Sequence, residues 1–180
     1  MALAAGRHTL GPADGALRVK THREGVAARA GHDLVLEVAR WEATVEVAPD
    51  PAEPAIELHA DPKSLEVRAG VGGAKPLTDR DRGEIRKTID AKVLRGQPIG
   101  FRSTAVRPVD GGVVADGELT IVGTTRPVSV RLDVAMDRIA GTIALTQSEW
   151  GIEPYRGLMG ALKVRDDVEV VIDVRLPAAT

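Results

Sequence analysis

Alternation of apolar and polar side chains with a period of two constrains this chain more than any other feature, and it is cleanest across residues 117–134, GELTIVGTTRPVSVRLDV. Leu119 and Ile121 fall on one face, Glu118 and Thr120 on the other; after a break, Val128, Val130, Leu132 and Val134 alternate with Ser129, Arg131 and Asp133. Successive side chains of a strand face opposite sides of the sheet, so each run reads as a half-buried β-strand. Between them Gly123, Thr124, Thr125, Arg126 and Pro127 combine a glycine, two small hydroxyls and a proline that cannot donate to a ladder. That composition predicts a hairpin with its turn over 123–127.

The same pattern recurs along the chain. Leu17 and Val19 alternate with Arg18 and Lys20, and Leu34, Leu36 and Val38 with Asp33 and Glu37. Ala43, Val45 and Val47 follow in the opposite phase, so residues 33–48 read as two strands or one long bent strand, with Ala39, Arg40 and Trp41 at the change of phase. The proline-rich APDPAEPA reads as an exposed hairpin loop, after which Ile56 and Leu58 start a strand that Leu65 and Val67 continue beyond a break at Asp61 and Pro62. Ile99 and Phe101 open the second half, with a glycine pair at 111–112. The C-terminal part carries Ile143 and Leu145, then the longest regular face, Val168, Val170, Ile172, Val174 and Leu176.

One helix interrupts this series. Thr78 can cap its N-terminus with Asp81 three residues on, and Ile85 and Ile89 share a face, which predicts a helix over about 79–91 lying on the sheet surface or over an open end. About eight to ten antiparallel strands with a single inserted helix suit a barrel or a sandwich, and the pattern leaves both open. At 180 residues, 43% of them hydrophobic, the chain suits one domain, 1–180, with residues 1–15 expected to be poorly ordered.

Composition removes several classes of function. Twenty-four basic residues against 26 acidic ones leave no surplus of positive charge to neutralise a phosphate backbone, so no nucleic-acid partner is expected. The absence of cysteine excludes disulfides, thiolate metal sites and cysteine nucleophiles. MALAAGRHTLGPADG meets Arg7 and His8 before any useful apolar core, a poor leader peptide, and nothing approaches the ~20 apolar residues of a membrane span, which together predict a cytoplasmic protein. His8, His22, His32 and His59 lack the spacing of a metal site, no serine sits in GxSxG, and GVGG lacks the lysine of a phosphate loop. His32 and Asp33 could act as acid and base on a small apolar substrate, but as strand neighbours they face opposite sides and are poorly placed to cooperate. No catalytic residue, metal ligand or cofactor is assigned.

Four stretches carry a family resemblance: GELTIVGTTRPVSV, AGHDLVLEV followed by a tryptophan and a second strand, LTDRDRGEIRKTI, and SEWGI ahead of the last long strand. In order and spacing they resemble the YceI-like family, over about residues 17–176. The resemblance implies an all-β fold, an extended antiparallel lipocalin-like β-barrel of about eight strands, holding an isoprenoid or other long apolar lipid without chemistry of its own. A barrel of that size either fills itself with side chains or encloses one ligand. With one phenylalanine, one tyrosine, two tryptophans and three methionines, this chain has little bulk to fill it.

The candidate lining is the alternating face of Leu34, Leu36, Leu119, Ile121, Val128, Val130, Ile143, Leu145, Val170 and Ile172, joined by Trp150 from the segment the family uses to close its fold and by Met159 from the glycine-rich loop after it, a candidate lid. Head-group candidates are Arg80 and Arg82, which match the family's arginine–aspartate element, with Arg126 and His32. Each has a structural alternative. Asp79, Arg80, Asp81 and Arg82 alternate as a self-neutralised helix start, Arg126 can bind its own barrel's carbonyls, and a lone strand histidine is commonly a hydrogen-bonded wall residue. A ligand-free barrel acting as an interaction module, with a homodimer formed through an edge strand, is the alternative to a carrier, and a small-substrate enzyme is the third reading.

Overall fold

The computed structural model describes residues 5–47 and 55–176. The strongest sequence signal becomes the hairpin of β9 (Gly112–Ile121) and β10 (Thr124–Ala135), paired without interruption from Thr124 opposite Ile121 to Asp133 opposite Gly112. Its turn is only Val122 and Gly123, both left-handed (φ 50° and 73°), the backbone of a two-residue hairpin loop. The turn expected over 123–127 is therefore corrected: Thr124 to Pro127 already belong to β10. Proline is tolerated there because β10 meets β11 (Arg138–Thr146) only through Asp133, Val134 and Ala135, so the far edge of β10 at Pro127 has no ladder bond to lose.

On the other side of β9 lies β8 (Ile99–Val109), whose register slips between Ser103 and Ala105. Ser103 is fully buried at this bulge, and its Oγ accepts the Ile56 amide at 2.9 Å. A side-chain oxygen thus satisfies a donor beside the irregularity.

Beyond β11 the sheet continues through β14 (Asp167–Arg175), β2 (Gly15–Thr21), β4 (Asp33–Val38) and β7 (Leu65–Val71). At its opposite end it runs from β8 to β6 (Ile56–Ala60), β5 (Trp41–Val47) and β1 (Gly6–Leu10). The two ends are parts of the same ribbon. β1 runs into β2 through a turn at Gly11 to Asp14, β4 into β5 through Ala39 and Arg40, and β6 into β7 through a turn at Pro62–Ser64. Three strands therefore bend together at one corner, and the antiparallel sheet closes into a barrel of eight strands, three of them bent. Both forms expected for residues 33–48 hold at once: one strand by pairing, two by direction.

The corner is held by hydrogen bonds across the ribbon. The Ala39 amide donates to Ser64 O, the Arg40 amide to Ser64 Oγ at 3.0 Å, and the Asp61 amide to Arg40 O. Arg40 also places Nε and Nη2 on Asp61 Oδ2 at 2.9 and 2.7 Å, which holds that carboxyl below the usual carboxylate range, with the Lys63 amide adding to the effect. The sequence gives no strand signal before Leu17, yet Gly6–Leu10 forms β1 along β5 and Leu10 is buried. The expected loop over APDPAEPA lies outside the described residues, except Ala55.

The helix α1 (Asp79–Thr88) starts as predicted. The Asp81 amide donates to Thr78 Oγ1 and the Thr78 amide to Asp81 Oδ2, a capping box with aspartate in the third position. It continues as a wider turn through Ile89–Leu94 and ends at Arg95 and Gly96, both left-handed, so the helical stretch outlasts the expected limit near residue 91. It packs beside β7, with Arg82 Nη1 on Val67 O at 2.6 Å, and turns Ile85, Ile89 and Val93 toward the barrel. At the same end three short strands, β3 (Arg23–Glu24), β12 (Arg156–Gly157) and β13 (Leu162–Val164), form a second small sheet.

Candidate functional site

Inward-facing side chains of a solid barrel would be sealed from solvent; here many are not. Val19, Leu34, Leu58, Leu119, Ile121, Val128, Ile143, Val170 and Ile172 pack against the core yet stay partly accessible, because the barrel is hollow. The lumen has a volume of about 1370 Å³ and reaches from Arg23, His32 and Leu162 at one rim to Val47, Pro108 and Gly112 toward the other. Its walls are predominantly aliphatic, and all four aromatic residues of the chain, Trp41, Phe101, Trp150 and Tyr155, touch it.

Eleven of the twelve apolar residues singled out from the sequence line this space: Leu34, Leu36, Leu119, Ile121, Val128, Val130, Ile143, Leu145, Trp150, Val170 and Ile172. They converge because period-two strands in antiparallel register place them on one face of a curved sheet. Met159 is absent from the lining and fully exposed. Of the polar candidates only His32 reaches the lumen, with Nε2 2.7 Å from Lys75 O. Arg80 is exposed at the helix start, Arg82 is committed to Val67 O, and Arg126 is exposed on β10 opposite Leu119. None of these arginines lines the lumen.

Trp150 has a specific position. Because β10 and β11 separate above Asp133, the wall opens between them, and the segment after β11 folds back into the opening. Trp150 is buried there, its Nε1 donating to Leu119 O at 3.0 Å, and packs with Leu145, Ile152 and Val168. The tryptophan seals the seam that the sheet leaves unpaired.

The mouth beside α1 holds what the sequence reading missed. Arg23 lines it, with Nη1 donating to Gly31 O at 2.9 Å and Val71 O at 2.7 Å. Among the described residues no carboxylate forms an ion pair with it: Asp33 takes the Arg23 amide and faces His22 Nδ1 at 3.9 Å. Lys75, Leu77, Leu162 and Lys163 complete the rim. The signal lay in GVGG: a Cβ on Gly72 would collide with the Arg23 guanidinium and one on Gly73 with the His32 ring, so the backbone closes over both only as glycine. Opposite, Asp81 lines the lumen with its carboxyl held below the ordinary range by the Thr78 amide and hydroxyl.

No group of three His, Asp or Glu side chains among the described residues is placed to hold a metal ion, and no helix among them is long and apolar enough to cross a membrane. The arrangement offers a hydrocarbon tube with a polar, cation-bearing mouth.

Comparison with known proteins agrees with this geometry. The YceI-like domain family profile matches residues 18–176. Burkholderia cenocepacia BcnA superposes with a TM-score of 0.60 at 16% identity, over 88% of this chain and 94% of that one. The Campylobacter jejuni YCEI protein gives 0.52 at 11% identity over 80% and 85%, and an engineered cysteine variant of it 0.58 at 9% over the same shares. At these identities the likeness is one of fold. No curated protein sequence matches this chain.

Proposed function

The chain belongs to the YceI-like domain family, and from that premise we propose that it binds, sequesters or transports a long apolar lipid, of isoprenoid class, inside the barrel and without catalysis. The observation that carries the proposal is the aliphatic lumen of about 1370 Å³. An open space of that size is wide enough for many waters or for a long chain molecule. The lumen must therefore hold solvent or ligand. Water inside would find few polar partners along these walls. A lipid chain burying several hundred Å² of hydrocarbon gains on the order of 10 kcal/mol before ordering costs.

The acyl or prenyl chain would lie against Leu119, Val128, Ile143 and Val170, with its polar end at the mouth beside His32 and Arg23, whose guanidinium forms no ion pair with a carboxylate among the described residues. The isoprenoid class rests on the family resemblance; the hydrocarbon fit rests on the lumen. Native mass spectrometry of freshly purified protein, followed by organic extraction, tests the reading. A discrete adduct released on denaturation supports it and identifies the lipid. A clean apo mass, unchanged after isoprenoids and fatty acids are added, overturns it in favour of an interaction module.

A further inference from the structure

Six large apolar side chains among the described residues are conspicuously exposed, and five of them gather at one end of the barrel. Val26, Leu158 and Met159 stand out, 97%, 61% and 104% exposed, with Tyr155 and Val71 beside them. Hydrogen bonds tie the segments together: Ala27 N to Ala161 O, Ala161 N to Leu158 O, Val164 N to Tyr155 O, and Arg23 Nη1 to Val71 O. Only Met136 lies elsewhere, in the turn between β10 and β11.

The display is held against local preference. Leu158 and Met159 are consecutive left-handed residues (φ 48° and 56°), a conformation that disfavours side chains bearing a Cβ, and their side chains gain no burial in return. Strain maintained to present two apolar residues to solvent points to a surface that meets something apolar.

Charge narrows the choice of partner. The three mouth segments, 23–31, 72–77 and 153–165, carry six basic residues, Arg23, Arg29, Lys75, Arg156, Lys163 and Arg165, against Glu24 and Glu153, in a chain of net charge -2. None of the six forms an ion pair with a carboxylate among the described residues. Of the acids just beyond, Asp166 is engaged by Ser148, Asp33 and Glu169 by His22, Asp81 by Thr78 and Glu84 by Lys87, while Asp79 is offset in sequence by the adjacent Arg80. Protruding aliphatic tips ringed by unpaired cations match an interface of anionic head groups over hydrocarbon, where weak apolar insertion and electrostatic attraction act together.

We propose that this end of the barrel docks on the surface of an anionic lipid bilayer through Val26, Leu158 and Met159, placing the mouth of the lumen against the membrane. The docking goes beyond the cargo reading and rests on it only for its purpose, the passage of a lipid between bilayer and lumen.

Co-sedimentation of the full chain with vesicles of phosphatidylglycerol and phosphatidylcholine, against vesicles of phosphatidylcholine alone, tests it. The wild type should partition at least tenfold better onto the anionic vesicles and be released by salt. L158S/M159G and K75E/R156E should each lower that partition about tenfold or more, with thermal unfolding no lower than wild type, because all four side chains are exposed and glycine suits the left-handed backbone at 159. Equal partition onto both vesicle types, or either folded variant matching the wild type, overturns the proposal. Self-association that depends on Leu158 and Met159 in the absence of vesicle binding also overturns it, assigning the tip to a protein contact. Native mass spectrometry of the same samples keeps the two readings apart: cargo without docking removes only this inference, and docking without cargo only the carrier.

Discussion

Replacing Val170 by tryptophan separates a hollow barrel from a packed one. Val170 sits at the middle of β14, opposite Ile143 on β11 and Val19 on β2, and all three line the lumen and remain partly accessible. A buried indole covers roughly 150–250 Å², so projecting one into the lumen would displace on the order of 120 Å² of ligand hydrocarbon from the wall. At about 25 cal/mol per Å² this is about 3 kcal/mol, or two orders of magnitude in Kd. The apo protein should respond in the opposite sense, since the ring enters space that no side chain fills, and its Tm should hold or rise. Displacement titration with a fluorescent lipid reads the first effect and thermal unfolding of delipidated protein the second. Overpacking a filled core costs about 1–3 kcal/mol, which for a chain of this length lowers Tm by about 2–4 °C per kcal/mol. A fall of that size with affinity unchanged would refute the hollow interior.

Three further substitutions test the scaffold. Ser64→Ala removes the hydroxyl that accepts the Arg40 amide at the buried corner, so stability should fall by about 1–2 kcal/mol, seen as a Tm lower by about 2–8 °C; a change under 1 °C would mean the corner does not depend on it. Gly117→Ala would set a Cβ 2.5 Å from Arg102 O and 2.7 Å from two atoms of the Phe101 ring, so circular dichroism melts should show a loss of about 1–3 kcal/mol, whereas wild-type stability would place the ring elsewhere. The Arg138 hydrogen bond, aided by the charges of Arg138, Arg175 and Arg18, lowers the Asp173 carboxyl. Because its folded value lies below the unfolded one, this contribution is complete above the ordinary aspartate range, near 3.9, and fades as pH falls through the folded value. Arg138→Ala should therefore raise the Asp173 carboxyl in an NMR titration and lower stability at neutral pH but not at the acid end; a titration unmoved by the substitution refutes the assignment.

The strands were legible wherever one face meets the lumen and the other meets water, since that contrast writes a period of two into the sequence. Leu119, Val128, Val170 and their neighbours were found this way, and they line the same space. β1 was not, because in GRHTL only Leu10 is buried and no alternation develops. The β9–β10 turn was displaced by Pro127, a residue whose usual meaning depends on a neighbouring strand that is missing at that edge. The mouth was least legible. Arg23 and Lys75 are ordinary basic residues in sequence, far apart along the chain, and only the closing of the 72–73 backbone over Arg23 and His32 gives them a common place.

The scarcity of aromatic residues, read first as missing bulk, has a structural counterpart in where the four of them lie. Trp41 is buried at the corner where the ribbon bends, and Trp150 fills the opening between β10 and β11. Phe101 covers the backbone at Gly117 in the β8–β9 ladder, and Tyr155 covers Gly157 beside the mouth. Each stands where strand pairing turns, parts or lacks a side chain. Large rings at such points exclude water from the wall without crossing the lumen, while the strands between them contribute valine, leucine and isoleucine that are too short to meet in the middle. Bulk concentrated at the seams closes the wall, and its absence elsewhere leaves the interior open; a ring placed at a mid-strand position such as Val170 would undo that division.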